Sequence, residues 1–387
     1  MELGHSGQVM ITQLRLSRPV VAALAPAAVY LAVRLTGLLM LAVFAEFHDE
    51  KLTDILRAWD GNWYLTIAEN GYERVPKEFV DAFGNHTTHT AMAFFPGFPF
   101  ILRAVAAATG TSQFAAALIV NVVAGIAAAY AIARIGRRLT GGGGLLLVAL
   151  WAGAPMAITL SMTYTEALFT AFAAWALVSV LERHWVEAGC YAVGAGLIRP
   201  TATVIVGVVC LAALLALRTE RRWEVVVGGL LAPLGLVGYW GYVAAQTGKL
   251  GGWWQIQREG WNSQFDWGVS SFSFATRILA DGQVVMDLLI VLILLGAVAL
   301  TAVSALSGRV PWPLVLYGAG IVAVTIGSDG MMASKPRMLV PAFVLLIPIA
   351  VALAGRSRVT KLAWTTTFVL FGSWFSAYSL TAWHYTI

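Results

Sequence analysis

Runs of about 20 apolar residues return repeatedly between Pro19 and Trp383, and this repeat constrains the fold more than any other feature. A helix rising about 1.5 Å per residue needs that length to cross the hydrocarbon of a bilayer. Backbone buried in lipid must satisfy its own hydrogen bonds, which leaves helices or a closed barrel. The runs lack the ten-residue apolar/polar alternation of barrel strands, so the chain reads as an all-α polytopic membrane protein. Composition agrees: 59% of the 387 residues are hydrophobic and 12% charged, too few charges to coat a soluble domain of this size. The net charge of +5 does not point to nucleic acid, because the arginines sit in short clusters between apolar runs, as topology signals do. Cys190 and Cys210 lie inside apolar runs, so neither a disulfide framework nor a Cys-x-x-Cys metal site is implied.

The first run, Pro19 to Phe44, follows Arg15 and Arg18 and is too long for a signal-peptide core, which predicts an uncleaved span with a cytoplasmic N-terminus. Arg34 within it is expected to face protein or water in a structural role. Residues 45–95 are acid-rich, as suits an exterior loop. The spacing of Leu52, Ile55, Leu56, Trp59, Trp63 and Ile67 predicts one interfacial helix reaching Asn70 and bearing Asp60. The run from Phe94 to Gly110 is placed along the same interface. Only then does a span over 113–133 deliver Arg134, Arg137 and Arg138 to the cytoplasm. Further spans are expected at 144–162, 165–182, 186–198, 201–217, 224–245, 284–306, 311–327, 338–355 and 362–383, about eleven in all. This arrangement also keeps Arg218/Arg221/Arg222, Arg309 and Arg356/Arg358/Lys361 inside. The result is one membrane domain over 1–387, with a long first extracytoplasmic loop (45–110) and a Trp-rich external loop (246–281).

The external connections then hold the chemistry. Asp60 and Glu166 each lie beside a membrane boundary, where a carboxylate in a partly dehydrated cleft can take a proton from an acceptor hydroxyl. A helix-start role for Glu166 and a capping role for Asp60 are the plainer alternatives. Arg199, Lys335 and Arg337 are basic against the topological bias, which makes them candidates for a lipid-linked phosphate, with snorkelling as the alternative. His89, Tyr164, Trp63, Trp253 and Trp254 are candidates for binding the acceptor or a sugar, since indole faces stack on sugar rings. Anchoring at the interface is an equal explanation for the Trp-rich loop. His86 and His89 have no cysteine nearby and sit in a turn-like context, so no metal or other cofactor is implied. No Gly-rich phosphate loop follows a strand.

Trp59-Asp60-Gly61-Asn62-Trp63-Tyr64, with Ile67-Ala68, Gly71-Tyr72 and His89-Thr90-Ala91-Met92-Ala93-Phe94-Phe95-Pro96-Gly97-Phe98-Pro99, resembles the PIG-V-like mannosyltransferases. Tyr164-Thr165-Glu166-Ala167-Leu168-Phe169 is similar to that family's Tyr/Ser-Glu-x-Leu-Phe segment. Arg199-Pro200 occupies the place of its Arg-rich turn, and Pro336-Arg337-Met338 resembles its late Pro-Arg element. The likeness covers much of the N-terminal half and thins beyond residue 200. It implies a GT-C fold and an inverting, metal-independent transfer of mannose from a polyprenyl-phosphate donor. Asp60 would be the base or acceptor-orienting carboxylate, Glu166 a second acceptor-site acid, and Arg199 with Arg337 the donor-phosphate contacts. The Ala/Gly/Val/Arg-rich composition resembles chains from high-GC bacteria, which favours a plasma-membrane enzyme with an extracytoplasmic site. Its partners would then be membrane lipids, a polyprenyl-phosphate sugar and a glycolipid or cell-envelope glycan acceptor. A lipid or glycolipid transporter is the competing reading; it would ordinarily place polar groups at mid-bilayer and use broken helices.

Overall fold

The computed structural model describes residues 18–383; Arg15 lies outside them. Among these residues the chain is all-helical, and its one β-type contact is an isolated bridge between Phe265 and Ser328. Four helices are long and apolar enough to cross a membrane: Val20–Phe47, Gln113–Thr140, Trp223–Thr247 and Val285–Leu306. A bent pair, Met332–Met338 with Phe343–Ala354, makes a fifth candidate when taken as one span, with 75° between its halves. This is the character of an integral membrane protein.

Helix α1 (Arg18–Phe47) shows how the sequence sets its orientation. Leu24, Leu31, Leu35, Leu39 and Val43 stay exposed at helical spacing, forming an apolar stripe of the kind lipid covers. Tyr30, Arg34, Leu41 and Ala45 turn inward. The stretch expected to form one interfacial helix is two helices, α2 (Leu52–Leu56) and α3 (Asp60–Asn70). They part where Trp59 adopts a left-handed φ of 50°, which periodicity cannot reveal. After α4 (Gly97–Thr109) and α5 (Gln113–Thr140), the span expected over 144–162 is divided. Helix α6 (Gly144–Ala152) stops at Gly153-Ala154-Pro155, and a 3₁₀ turn over Ala157–Ser161 follows.

Helix α7 (Glu166–Glu182) is buried on nearly all sides and forms the axis of the bundle, against α5 and α8 (Trp185–Gly196). Next come α9 (Ala202–Ala216), α10 (Trp223–Leu231) and α11 (Leu234–Thr247). The Trp-rich loop is itself largely helical, as α12 (Gly252–Trp261) and α13 (Val269–Asp281). Helices α14 (Val285–Leu306) and α15 (Trp312–Gly327) precede the short α16 (Lys335–Met338). Pro341 prevents α16 from continuing, so the expected 338–355 span resumes only as a 3₁₀ turn and α17 (Ile347–Ala354). Helix α18 (Arg358–Thr381) packs along α1.

Three cations, Arg34 and Lys335 buried and Arg103 exposed, tie these pieces together by capping helix C-termini, where unpaired carbonyls and the helix dipole favour positive charge. Arg34 donates to the Ala152 carbonyl at the end of α6 (2.7 Å) and to the Ser161 hydroxyl (3.0 Å). Arg103 on α4 donates to the carbonyls of Ala68 (2.7 Å) and Glu69 (3.0 Å) in the last turn of α3. Lys335 donates to Thr325 (2.8 Å) and Ser328 (2.6 Å) at the end of α15. Replacing Arg34 by Met should lower the thermal midpoint of the detergent-solubilised protein. Each polar group left unpaired in the interior costs roughly 1–3 kcal/mol.

The far ends of α5, α7 and α9 carry separate ion pairs. Arg134 grips Glu182 with two bonds (2.6 and 2.5 Å), Arg138 joins the same carboxylate (2.9 Å), and Arg183 pairs with Glu220.

Candidate functional site

The turn between α2 and α3 is held from the side. Leu56 accepts a bond from the Thr163 amide (2.9 Å), and the Tyr164 hydroxyl donates to the Ala58 carbonyl (3.1 Å). Asn121, fully buried on α5, fixes the other edge of that strand of chain by donating to the carbonyls of Met162 (2.5 Å) and Tyr164 (3.0 Å). Close approach requires Gly61, because a β-carbon there would strike the Thr163 hydroxyl. Gly61→Ala should therefore destabilise the protein by roughly 1–3 kcal/mol through overpacking. Thr163→Ala in the same chain should restore part of that loss in a thermal melt.

This lacing puts Asp60 at the first position of α3, where a carboxylate suits the positive end of the helix dipole. One turn on, Trp63 stacks on Phe94 (centroids 5.1 Å apart) and Tyr64 meets Phe98 edge-on (5.5 Å). Burial, and then the nearby Asp60 carboxylate, hold the Tyr64 hydroxyl above its usual range, so it stays protonated.

Two distant turns bring the guanidinium groups. The α8–α9 turn docks on the start of α4 through the Gly97 amide and the Leu197 carbonyl (2.7 Å), and a side chain at Gly97 would close on that carbonyl. Arg199 projects from this turn. Arg337 comes from α16. Its Nη1 donates to Asp60 Oδ2 (2.8 Å), its Nε lies 3.7 Å from Glu166 Oε1, and its Cζ sits 5.0 Å from the Tyr164 ring centroid. Arg199 Nη1 approaches the same Glu166 oxygen at 2.5 Å. Asp60, Arg337, Glu166 and Arg199 thus form one chain of opposite charges, gathered from four separate parts of the sequence.

The four side chains differ sharply in exposure: Asp60 is 31% exposed, Arg337 9%, Arg199 11% and Glu166 1%. The set carries two charges of each sign, which offsets the desolvation of its buried members. Its hydrogen bonding is incomplete. Both Glu166 oxygens, Arg199 Nη1 and Arg337 Nε are buried without a partner in hydrogen-bond geometry, although most buried polar groups in proteins are paired. Chemically, the arrangement offers one accessible carboxylate oriented by a guanidinium, with further donor capacity directly behind it.

The remaining expected residues are placed differently. Lys335 is 1% exposed and bonded to the α15 carbonyls. Trp63 and Trp253 are packed into aromatic clusters, Trp253 against Phe95 and Trp240, whereas Trp254 is 49% exposed. His89 lines a separate cavity of about 780 Å³ between residues 81–90 and α12. Sequence reasoning missed Arg103 and Thr163, which respectively pin the end of α3 and support the turn before it. An arginine in the otherwise apolar α4 was the available signal for the first. Among the described residues no group of three or more His, Cys, Asp or Glu side chains gathers as a metal site. No protein-family model matches this chain, and no curated protein matches it.

Proposed function

We propose that this chain is an inverting membrane glycosyltransferase of the GT-C type, moving mannose from a polyprenyl-phosphate carrier to a glycolipid or cell-envelope glycan on the extracytoplasmic face. One observation carries the reading: within a buried two-acid, two-arginine cluster, Asp60 alone is substantially exposed, and Arg337 holds it at 2.8 Å. Asp60 takes the proton of the acceptor hydroxyl as that oxygen bonds to the sugar's anomeric carbon. The bond from that carbon to the phosphate oxygen breaks, and the carrier phosphate leaves with the electron pair. Arg337 Nε and Arg199 Nη1, both buried and both facing Glu166 Oε1 (3.7 and 2.5 Å) outside hydrogen-bond geometry, are the groups assigned to the developing phosphate charge. Glu166 orients the two guanidiniums. In this reading the shorter apolar helices complete about eleven spans and the N-terminus is cytoplasmic.

The bend of 75° between Met332–Met338 and Phe343–Ala354 favours the second reading, a glycolipid carrier, because broken helices are common in transporters. Purified protein in vesicles distinguishes the two. Incubation with single polyprenyl-phosphate sugars and a cell lipid extract should yield products heavier by one hexose, read by mass spectrometry. Movement of a lipid-linked sugar across the vesicle membrane with no new glycosidic bond would replace the transferase by a carrier.

A further inference from the structure

The cavity of about 780 Å³ is separate from the Asp60 cluster and falls within the roughly 300–1,000 Å³ range of small-ligand sites. We propose that it binds a neutral oligosaccharide, the portion of the acceptor lying beyond the hydroxyl that receives the new sugar. Its role as an acceptor site rests on the transferase reading; the binding itself does not.

The walls are built. Residues 81–85 are joined to α12 by the Ala82 amide, which donates to the Gly260 carbonyl (2.9 Å). Asp81 is occupied in its own turn, accepting from the amides of Phe83 and Asn85 (2.9 Å each). On the other side Lys249 donates to Gln255 (2.9 Å), and the Gln255 amide donates to both Glu259 oxygens (3.0 and 2.9 Å). Two carboxylates, Asp81 and Glu259, stand against one ammonium here, and that ammonium is already bonded. A polyanion would meet Glu259 and Asp81 and is disfavoured; a molecule bearing hydroxyls, each both donor and acceptor, is matched.

Two groups on the lining point to a ligand. His89 Nδ1 and Trp261 Nε1 are buried polar atoms without a hydrogen-bond partner. Trp261 also supplies an indole surface, on which the C–H face of a sugar ring packs favourably. The same Trp261 contacts Trp63 (5.4 Å) and Phe94 (5.3 Å), edge to face. Trp63 lies one turn along α3 from Asp60, so a glycan in the cavity is registered against the helix that carries the candidate base. Gln257, donating to the Ala93 carbonyl (3.1 Å), stiffens that link.

The test is saturation-transfer NMR on the full-length protein in nanodiscs, with neutral trisaccharides of mannose, glucose and galactose offered singly. At least one should show saturation transfer, and His89→Ala should weaken its binding at least tenfold. Glu259→Gln, at an exposed position, should also weaken binding and keeps the test decisive where the histidine variant folds poorly. Asp60→Asn should bind the trisaccharide within twofold of the parent. The proposal is overturned when no trisaccharide binds at millimolar concentration, when binding survives both cavity variants, or when Asp60→Asn removes it. Trisaccharide binding without hexose transfer from any donor would defeat the transferase reading and leave the cavity assignment standing.

Discussion

Asp60→Asn is expected to abolish measurable hexose transfer, with a loss on the order of 10²–10⁴-fold from removal of a general base. The substitution keeps the size of the side chain and leaves an amide oxygen to accept from Arg337 Nη1, now 2.8 Å from Oδ2. Structure should therefore persist while proton acceptance is lost. A near-parental melting profile together with retained donor binding would separate this from unfolding. Full transfer by the variant would remove Asp60 from the chemistry. The comparison is clean because the Asp60 carboxylate is the accessible member of its cluster and is reached without disturbing Glu166.

Arg337→Met should have the largest effect on the fold itself. It strips Asp60 of its hydrogen-bonded partner and takes one of two guanidiniums away from Glu166, a carboxylate 1% exposed. Leaving a buried charge uncompensated typically costs about 3–5 kcal/mol, more than the pair gains when intact, because desolvation remains without its Coulombic offset. Transfer should vanish as well. Combining Arg337→Met with Asp60→Asn neutralises the orphaned acid, so the double variant should melt above the single Arg337→Met protein while staying inactive. Additive destabilisation would instead mean that the two side chains are energetically independent.

The parts of this arrangement differ in how plainly the sequence announces them. Asp60-Gly61-x-Trp63 is legible because each residue does local work: an acid at a helix start, a glycine at a close approach, and an aromatic one turn on that packs inward. Arg199 and Arg337 were identified by charge on connections where topology disfavours it, and both reach the cluster. Lys335 carried the same signal but serves α15, since charge and position alone do not specify which carbonyls or carboxylates a side chain will reach. Hydrophobic periodicity located most helices, yet it is blind to backbone breaks. Trp59 gives no compositional hint of its left-handed φ, whereas Gly153-Ala154-Pro155 and Pro341 mark the other two breaks openly. Apolar pattern likewise does not distinguish an exposed Trp from a core Trp: Trp63, Trp253 and Trp254 look equivalent in sequence, yet the first two are buried and Trp254 is exposed.

The shared location of base and phosphate contacts is tested most directly by a cryo-EM structure of the Asp60→Asn protein bound to polyprenyl-phosphate-mannose. The account predicts phosphate density within hydrogen-bonding distance of Arg337 and Arg199, with the anomeric carbon facing the residue at position 60. Donor density at the opposite end of the bundle, beside Arg134 and Arg138, with nothing near Arg337, would contradict it.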